Sequence, residues 1–138
     1  MSRYLGIDYG EKRIGLAISD ITGLIASSLT AIDAEKGVLK QIDLVIAEHS
    51  VGEIVVGFPK NMNNTIGEKA KTILEFVDIL KKHVQIPVHL WDERLTTKEA
   101  SRVLIKADVS RKKRKKVIDS MASQLILQGF LDRKNACS

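Results

Sequence analysis

The feature that most constrains this chain is a change in the period of its apolar residues. Two short, dense apolar segments, Tyr4 to Tyr9 and Arg13 to Ser19, flank the turn-forming Gly10-Glu11-Lys12 and predict a β-hairpin. A third strand is expected over Ser28 to Ile32. Beyond it the spacing turns helical: Val38, Ile42, Val45 and Ile46 predict an amphipathic helix over Ala34 to His49. Glu53 to Gly57 then reads as a buried strand, Ile66 to His83 as a helix and Val88 to Trp91 as another strand. Two further helices are expected, over Thr97 to Ala107 and over roughly Arg111 to Leu131. A strand meander that feeds strand–helix–strand units predicts an α/β fold with a mixed sheet. With 138 residues there is room for a single domain, spanning 1–138.

Composition narrows the class. At 44% hydrophobic and 28% charged residues the chain can bury a core and is not disordered. Its apolar runs fall far short of the roughly 20 residues that span a bilayer, so no membrane role is expected. No basic region followed by a long apolar stretch precedes the first strand, so a cytoplasmic location is expected. The one cysteine, Cys137, excludes internal disulfides and a thiolate metal cluster.

Charge is unevenly distributed. The net charge is +5, yet the segment from Lys106 to Lys116 alone carries +6, through Lys106, Arg111, Lys112, Lys113, Arg114, Lys115 and Lys116 against Asp108. Such a block suits a polyanion, because Lys and Arg neutralise phosphates and release counterions; a solvated helix face is the plainer reading. Helical projection scatters these residues around the axis, so they define no packing face. Cations in a first turn also oppose the helix dipole, a cost that bound phosphate would offset. The segment from Gly57 to Gly67, with Lys60 and Asn61, is rich in turn formers and amides and could meet phosphate oxygens, or be simply an ordered turn.

Ligand sites in open α/β sheets gather beyond the carboxyl ends of parallel strands, and three acids qualify by position. Asp8 ends the first strand in Gly6-Ile7-Asp8-Tyr9-Gly10, where the glycines permit close backbone approach; a turn aspartate is the alternative. Glu93 follows the last strand in Trp91-Asp92-Glu93-Arg94, and alternation sends Asp92 and Glu93 to opposite sides. Asp119 lies at the edge of an apolar arc formed by Val117, Ile118, Met121, Ala122, Leu125 and Ile126. A carboxylate there needs a cation, supplied by Arg94, a lysine or a metal. Three such acids suit Mg²⁺ or Mn²⁺, two ions together being able to activate water and stabilise the leaving oxygen of a phosphodiester. His49, His83 and His89 lack metal-ligand spacing and are assigned to surface or core.

Four ordered segments, GIDYG, GFPKNMN, WDERLTT and SRKKRKKVIDSMASQLILQGFL, together resemble the YqgF (RuvX) family nearly end to end. That family comprises compact relatives of the RuvC-type Holliday junction resolvases. The resemblance implies a ribonuclease H-like fold, a mixed five-stranded sheet flanked by helices, and a Mg²⁺-dependent nuclease. Asp8, Glu93 and Asp119 would be its metal-binding catalytic carboxylates, and Arg94, Thr96 and the lysine cluster would support the scissile phosphate. The implied role is 5′-end maturation of the 16S ribosomal RNA precursor, acting on ribosomal precursor particles; Holliday junction resolution is the alternative. Larger resolvases carry a further acid one turn after the helix aspartate, where this chain has Ala122 and Ser123. Weak activity in isolation, or dependence on a partner, follows as an expectation.

Two other classes compete. Asp8-Tyr9-Gly10 is similar to the first phosphate loop of the actin and sugar-kinase ATPases, but those need a second domain that does not fit here. A non-catalytic RNA-binding module for ribosome assembly would need only the basic block. Few aromatics are available for base stacking, which favours duplex or structured substrates. A monomer suits an RNA end and a homodimer a branched DNA.

Overall fold

A computed structural model describes residues 2–58, 67–92 and 111–136, with side chains of the last span from residue 122 onward. Strands β1 (Arg3–Asp8), β2 (Arg13–Ser19) and β3 (Ala26–Asp33) form an antiparallel meander, and β4 (Val51–Phe58) and β5 (Val88–Asp92) extend it with parallel pairings. The five strands lie in the order β3-β2-β1-β4-β5. Helices α1 (Val38–His49), α2 (Glu68–His83) and α3 (Arg111–Ala136) complete the described elements. The mixed five-stranded sheet expected from the sequence is therefore present. The helix expected over Thr97 to Ala107 lies outside the described residues.

Alternation along the strands sorts residues to two unlike faces. On one, Leu5, Ile7, Ile14, Leu16, Ile54 and Val56 pack with Ile42 of α1 and with Ile73, Phe76, Val77 and Leu80 of α2, forming the larger core. On the other, Ala17, Ala26 and Val55 meet Ile126, Leu127 and Leu131 of α3. The α3 face is lined by small residues, so this helix lies close to the sheet.

Local chemistry sets the element ends. A Cβ on Gly10 would lie 2.4 Å from the Arg13 carbonyl oxygen, so the β1–β2 turn admits only glycine there. Helix α1 begins at Val38 rather than Ala34 because Gly37 is left-handed, with φ 55°, and because the Asp33 carboxylate accepts the Glu35 N–H at 2.8 Å. Ser50 caps the other end at φ 54°, and its carbonyl accepts the Arg3 N–H at 3.0 Å, tying the end of α1 to the start of β1.

Candidate active site

Strands β1, β4 and β5 run parallel, so their carboxyl ends share one edge of the sheet. Asp8 is the last residue of β1 and pairs with Gly15 of β2. It shares parity with Tyr4 and Gly6, and thus projects on the α3 face, opposite to Leu5 and Ile7 in the larger core. Its side chain is half-buried and accepts no hydrogen bond among the described residues. A carboxylate at this edge offers the oxygen donors that a hard cation prefers.

Helix α3 is brought to this edge by two glycines. A Cβ on Gly6 would sit 2.7 Å from Leu127 Cβ and 3.1 Å from the Ser123 carbonyl oxygen, so the helix rests on bare β1 backbone. A Cβ on Gly15 would be 3.4 Å from Ser123 Oγ and 3.6 Å from Asp8 Cβ. Leu127 thus lies over Gly6, and Ser123 reaches to the level of Asp8. The helix runs antiparallel to β1, and Asp119 lies one turn beyond Ser123 toward the carboxyl edge. The close backbone approach expected at Gly6 is made by this helix.

The structure also corrects the phase of α3. Its buried residues are Ser123, Ile126, Leu127 and Leu131, whereas Ala122 and Leu125 are half-buried. Continued backward at helical pitch, this stripe includes the Asp119 position, which the sequence reading had placed at the edge of an arc of Val117, Ile118, Met121, Ala122, Leu125 and Ile126. Arg111, Lys112, Lys113, Arg114, Lys115 and Lys116 form the opening turns of α3, and their side chains, like that of Asp119, lie outside the described residues. Lys60, Asn61, Glu93, Arg94 and Thr96 also lie outside them. Strand β5 ends at Asp92, paired with Phe58 of β4, so the chain reaches residue 93 at the same edge.

Among the described residues no three His, Cys, Asp or Glu side chains cluster to hold a metal, Asp8 being the one candidate ligand whose side chain is described. The histidines behave as expected of surface groups: His83 pairs with Asp43 at 2.8 Å and His89 with Glu53 at 3.1 Å. Sequence reasoning missed Gly15 and Ser123 as neighbours of Asp8. A glycine inside a strand, a sign of close approach, was the available signal.

This arrangement is the ribonuclease H-like fold of RuvC-type resolvases. The RuvC structure of Thermus thermophilus superposes with a TM-score of 0.54 at 16% identity, covering 96% of each chain. The fowlpox virus Holliday junction resolvase superposes with a TM-score of 0.55 at 14% identity, covering 95% of this chain and 99% of its own. Residues 2–133 match the RuvX family, described as Holliday junction resolvase, and the chain belongs to that family. Relatives in Thermoanaerobacter pseudethanolicus (53% identical over 94% of this chain and 96% of theirs) and Geobacillus kaustophilus (52% over 96% and 99%) carry the provisional name pre-16S rRNA nuclease. Among the described residues no helix is long and apolar enough to cross a membrane.

Proposed function

We propose that the protein is a divalent-metal-dependent nuclease that hydrolyses phosphodiester bonds in structured RNA, with the 16S rRNA precursor, in ribosomal precursor particles, as substrate. The observation that carries this reading is near full-length identity above 50% to relatives so named. The placement of Asp8 at the carboxyl edge beneath the helix that bears Asp119 supports it.

In this reading Asp8, Glu93 and Asp119 hold the metal, Mg²⁺ or Mn²⁺, as a pair of ions. When bound, such ions supply Lewis acidity toward the scissile phosphate and a water of lowered pKa. Asp8 is held by the β1–β2 ladder through its pairing with Gly15, and a backbone fixed in this way presents its carboxylate without reorganisation. Arg94, Thr96 and the basic opening of α3, with Lys60 and Asn61, neutralise and orient the phosphate backbone. These contacts read charge rather than base identity, so specificity comes from the shape of the substrate.

A second reading, Holliday junction resolution, is favoured by the family description and by the fold shared with resolvases. It calls for a homodimer, whereas an RNA end calls for a monomer. The test is cleavage of labelled precursor 16S leader and of a synthetic four-way DNA junction side by side with Mg²⁺ or Mn²⁺, for wild type and Asp8→Asn. The expected result is metal-dependent cutting of the RNA, lost in the variant. Cutting of the junction alone assigns the second reading. If Asp8→Asn leaves function intact while charge reversal at Lys112, Lys113, Lys115 and Lys116 abolishes it, the protein is a non-catalytic RNA-binding factor.

A further inference from the structure

A cation that the metal chemistry leaves unused stands at the edge where Asp8 ends β1. Asp8 pairs with Gly15, and Arg13 lies two residues further along β2 toward that same edge. Alternation puts Arg13 on the face of Gly15 and Ala17, which is the α3 face, whereas Ile14 and Leu16 enter the larger core. Arg13 is thus the diagonal cross-strand neighbour of Asp8, a relation that separates Cα atoms by about 7–8 Å and that long side chains bridge.

The backbone here is held against β3, because Arg13 pairs with Asp33 and the neighbouring Lys12 carbonyl accepts the Ala34 N–H at 3.0 Å. Both basic side chains are exposed, and neither forms an ion pair with a described residue. The acid opposite Arg13, Asp33, accepts the Glu35 N–H at 2.8 Å instead. Lys12 and Arg13 border a hollow of about 580 Å³ along β3, and two acids, Asp33 and Glu35, stand in its wall. Those acids make the hollow itself a poor place for an anion. Arg13 lies on β2, between β3 and β1, so a phosphate is favoured on its other side, toward Asp8. A guanidinium on a fixed strand suits that task, because its planar fork matches phosphate oxygens two at a time.

We propose that Arg13 binds the phosphate flanking the scissile one, and so sets the direction in which the substrate strand leaves the site, from β1 across β2. This inference rests on the assignment of Asp8 to the cleavage site. Its signature differs from that of a structural arginine. Removing one phosphate contact weakens binding and lowers its salt dependence by one contact's share, while an exposed side chain without an ion pair leaves the fold as stable as before.

The experiment measures binding of labelled precursor 16S leader RNA to the full chain without divalent metal, across a salt series, alongside melting temperatures. The proteins compared are wild type, Arg13→Ala, Arg13→Lys and Lys81→Ala, the last removing an exposed lysine in the final turn of α2, toward the opposite edge of the sheet. The expected result is affinity about tenfold weaker in Arg13→Ala, with a log–log salt slope shallower by about one. Arg13→Lys keeps the slope, and Lys81→Ala and all melting temperatures match wild type. A single neutral methylphosphonate walked along the RNA then locates the contact. In wild type it costs about tenfold at the phosphate next to the bond cut with Mn²⁺, and in Arg13→Ala it costs nothing further there. Unchanged affinity in Arg13→Ala, an equal loss in Lys81→Ala, or a coupled phosphate remote from the cut bond would overturn the proposal. So would lowered melting temperatures in both Arg13 variants, which make the residue structural. If wild type cuts no RNA, or Asp8→Asn cuts it as fast, the reading of the site fails first, and the inference with it. If Asp8→Asn is inactive and Arg13→Ala binds as wild type does, the inference alone fails.

Discussion

At Gly6 one hydrogen atom in place of a methyl sets how near α3 lies to β1. A Cβ there would meet Leu127 Cβ at 2.7 Å, inside any contact a folded protein tolerates, and the neighbour is rooted in helix backbone rather than at a flexible tip. Gly6→Ala is therefore expected to destabilise by about 1–3 kcal/mol, the usual cost of overpacking, read as a lower urea midpoint at unchanged slope. Asp20 acts differently, through charge. Its carboxylate accepts the Thr22 hydroxyl and the Ile25 and Leu24 N–H groups, at 3.1 and 2.9 Å for the last two. These bonds, Thr22's above all, pull its pKa from 3.8 down to about 2. A lowered native pKa stabilises the fold above the unfolded value and loses that contribution as pH falls through the native one. Asp20→Ala should thus lower the melting temperature by a few degrees at neutral pH, and the difference from wild type should fade between about pH 4 and pH 2. A gap that persists undiminished at pH 2 would assign the effect to packing.

Helix α3 is anchored along its carboxyl half by polar as well as apolar contacts. The Gln128 amide accepts the Ala26 N–H at 2.8 Å and donates to the Leu24 carbonyl at 2.8 Å, stitching the helix to the β2–β3 loop and the start of β3. Gln128→Ala leaves both backbone groups without that partner and should cost about 1–3 kcal/mol in chemical denaturation. The elements also show what a sequence discloses. β2 was legible at both ends, because turn residues bound a dense apolar run. β3 extends beyond the expected Ser28 to Ile32 because most of its residues are exposed at the sheet margin, so no apolar signal marks its ends. The start of α1 was hidden by Gly37, whose left-handed backbone has no apolar signature. The phase of α3 was misjudged because Leu125 and Ala122 are apolar yet only half-buried, while the polar Ser123 is buried. Of the candidate acids, the place of Asp8 at the end of β1 was legible from the sequence. That Ser123 and Asp8 both border Gly15 was not, because it joins residues far apart in the chain through a glycine, and spacing does not report such neighbours.

Across the whole molecule, the two faces of one sheet are unequal in the cores they carry. The larger core lies under α1 and α2, and the α3 face, with its smaller cluster, carries Asp8 and Ser123. Strands β1 and β4 lie inside the sheet with a partner on each side, whereas β3 has β2 alone. Native-state hydrogen exchange should therefore be slowest in β1 and β4 and fastest among the described strands in β3. Uniform protection across all five strands would show that the molecule opens only globally. The contact of Leu127 with Gly6 has one more consequence, for how the chain can vary in length. It works as an index mark: it sets both the depth and the rotation at which α3 is read against β1. One residue inserted between Asp119 and Leu127 would turn the Asp119 position by about 100° about the helix axis relative to β1. The same insertion ahead of Asp119 would leave the mark and the acid in phase. Substitutions are thus tolerable between these two residues on solvent-facing turns, but a change of spacing is not.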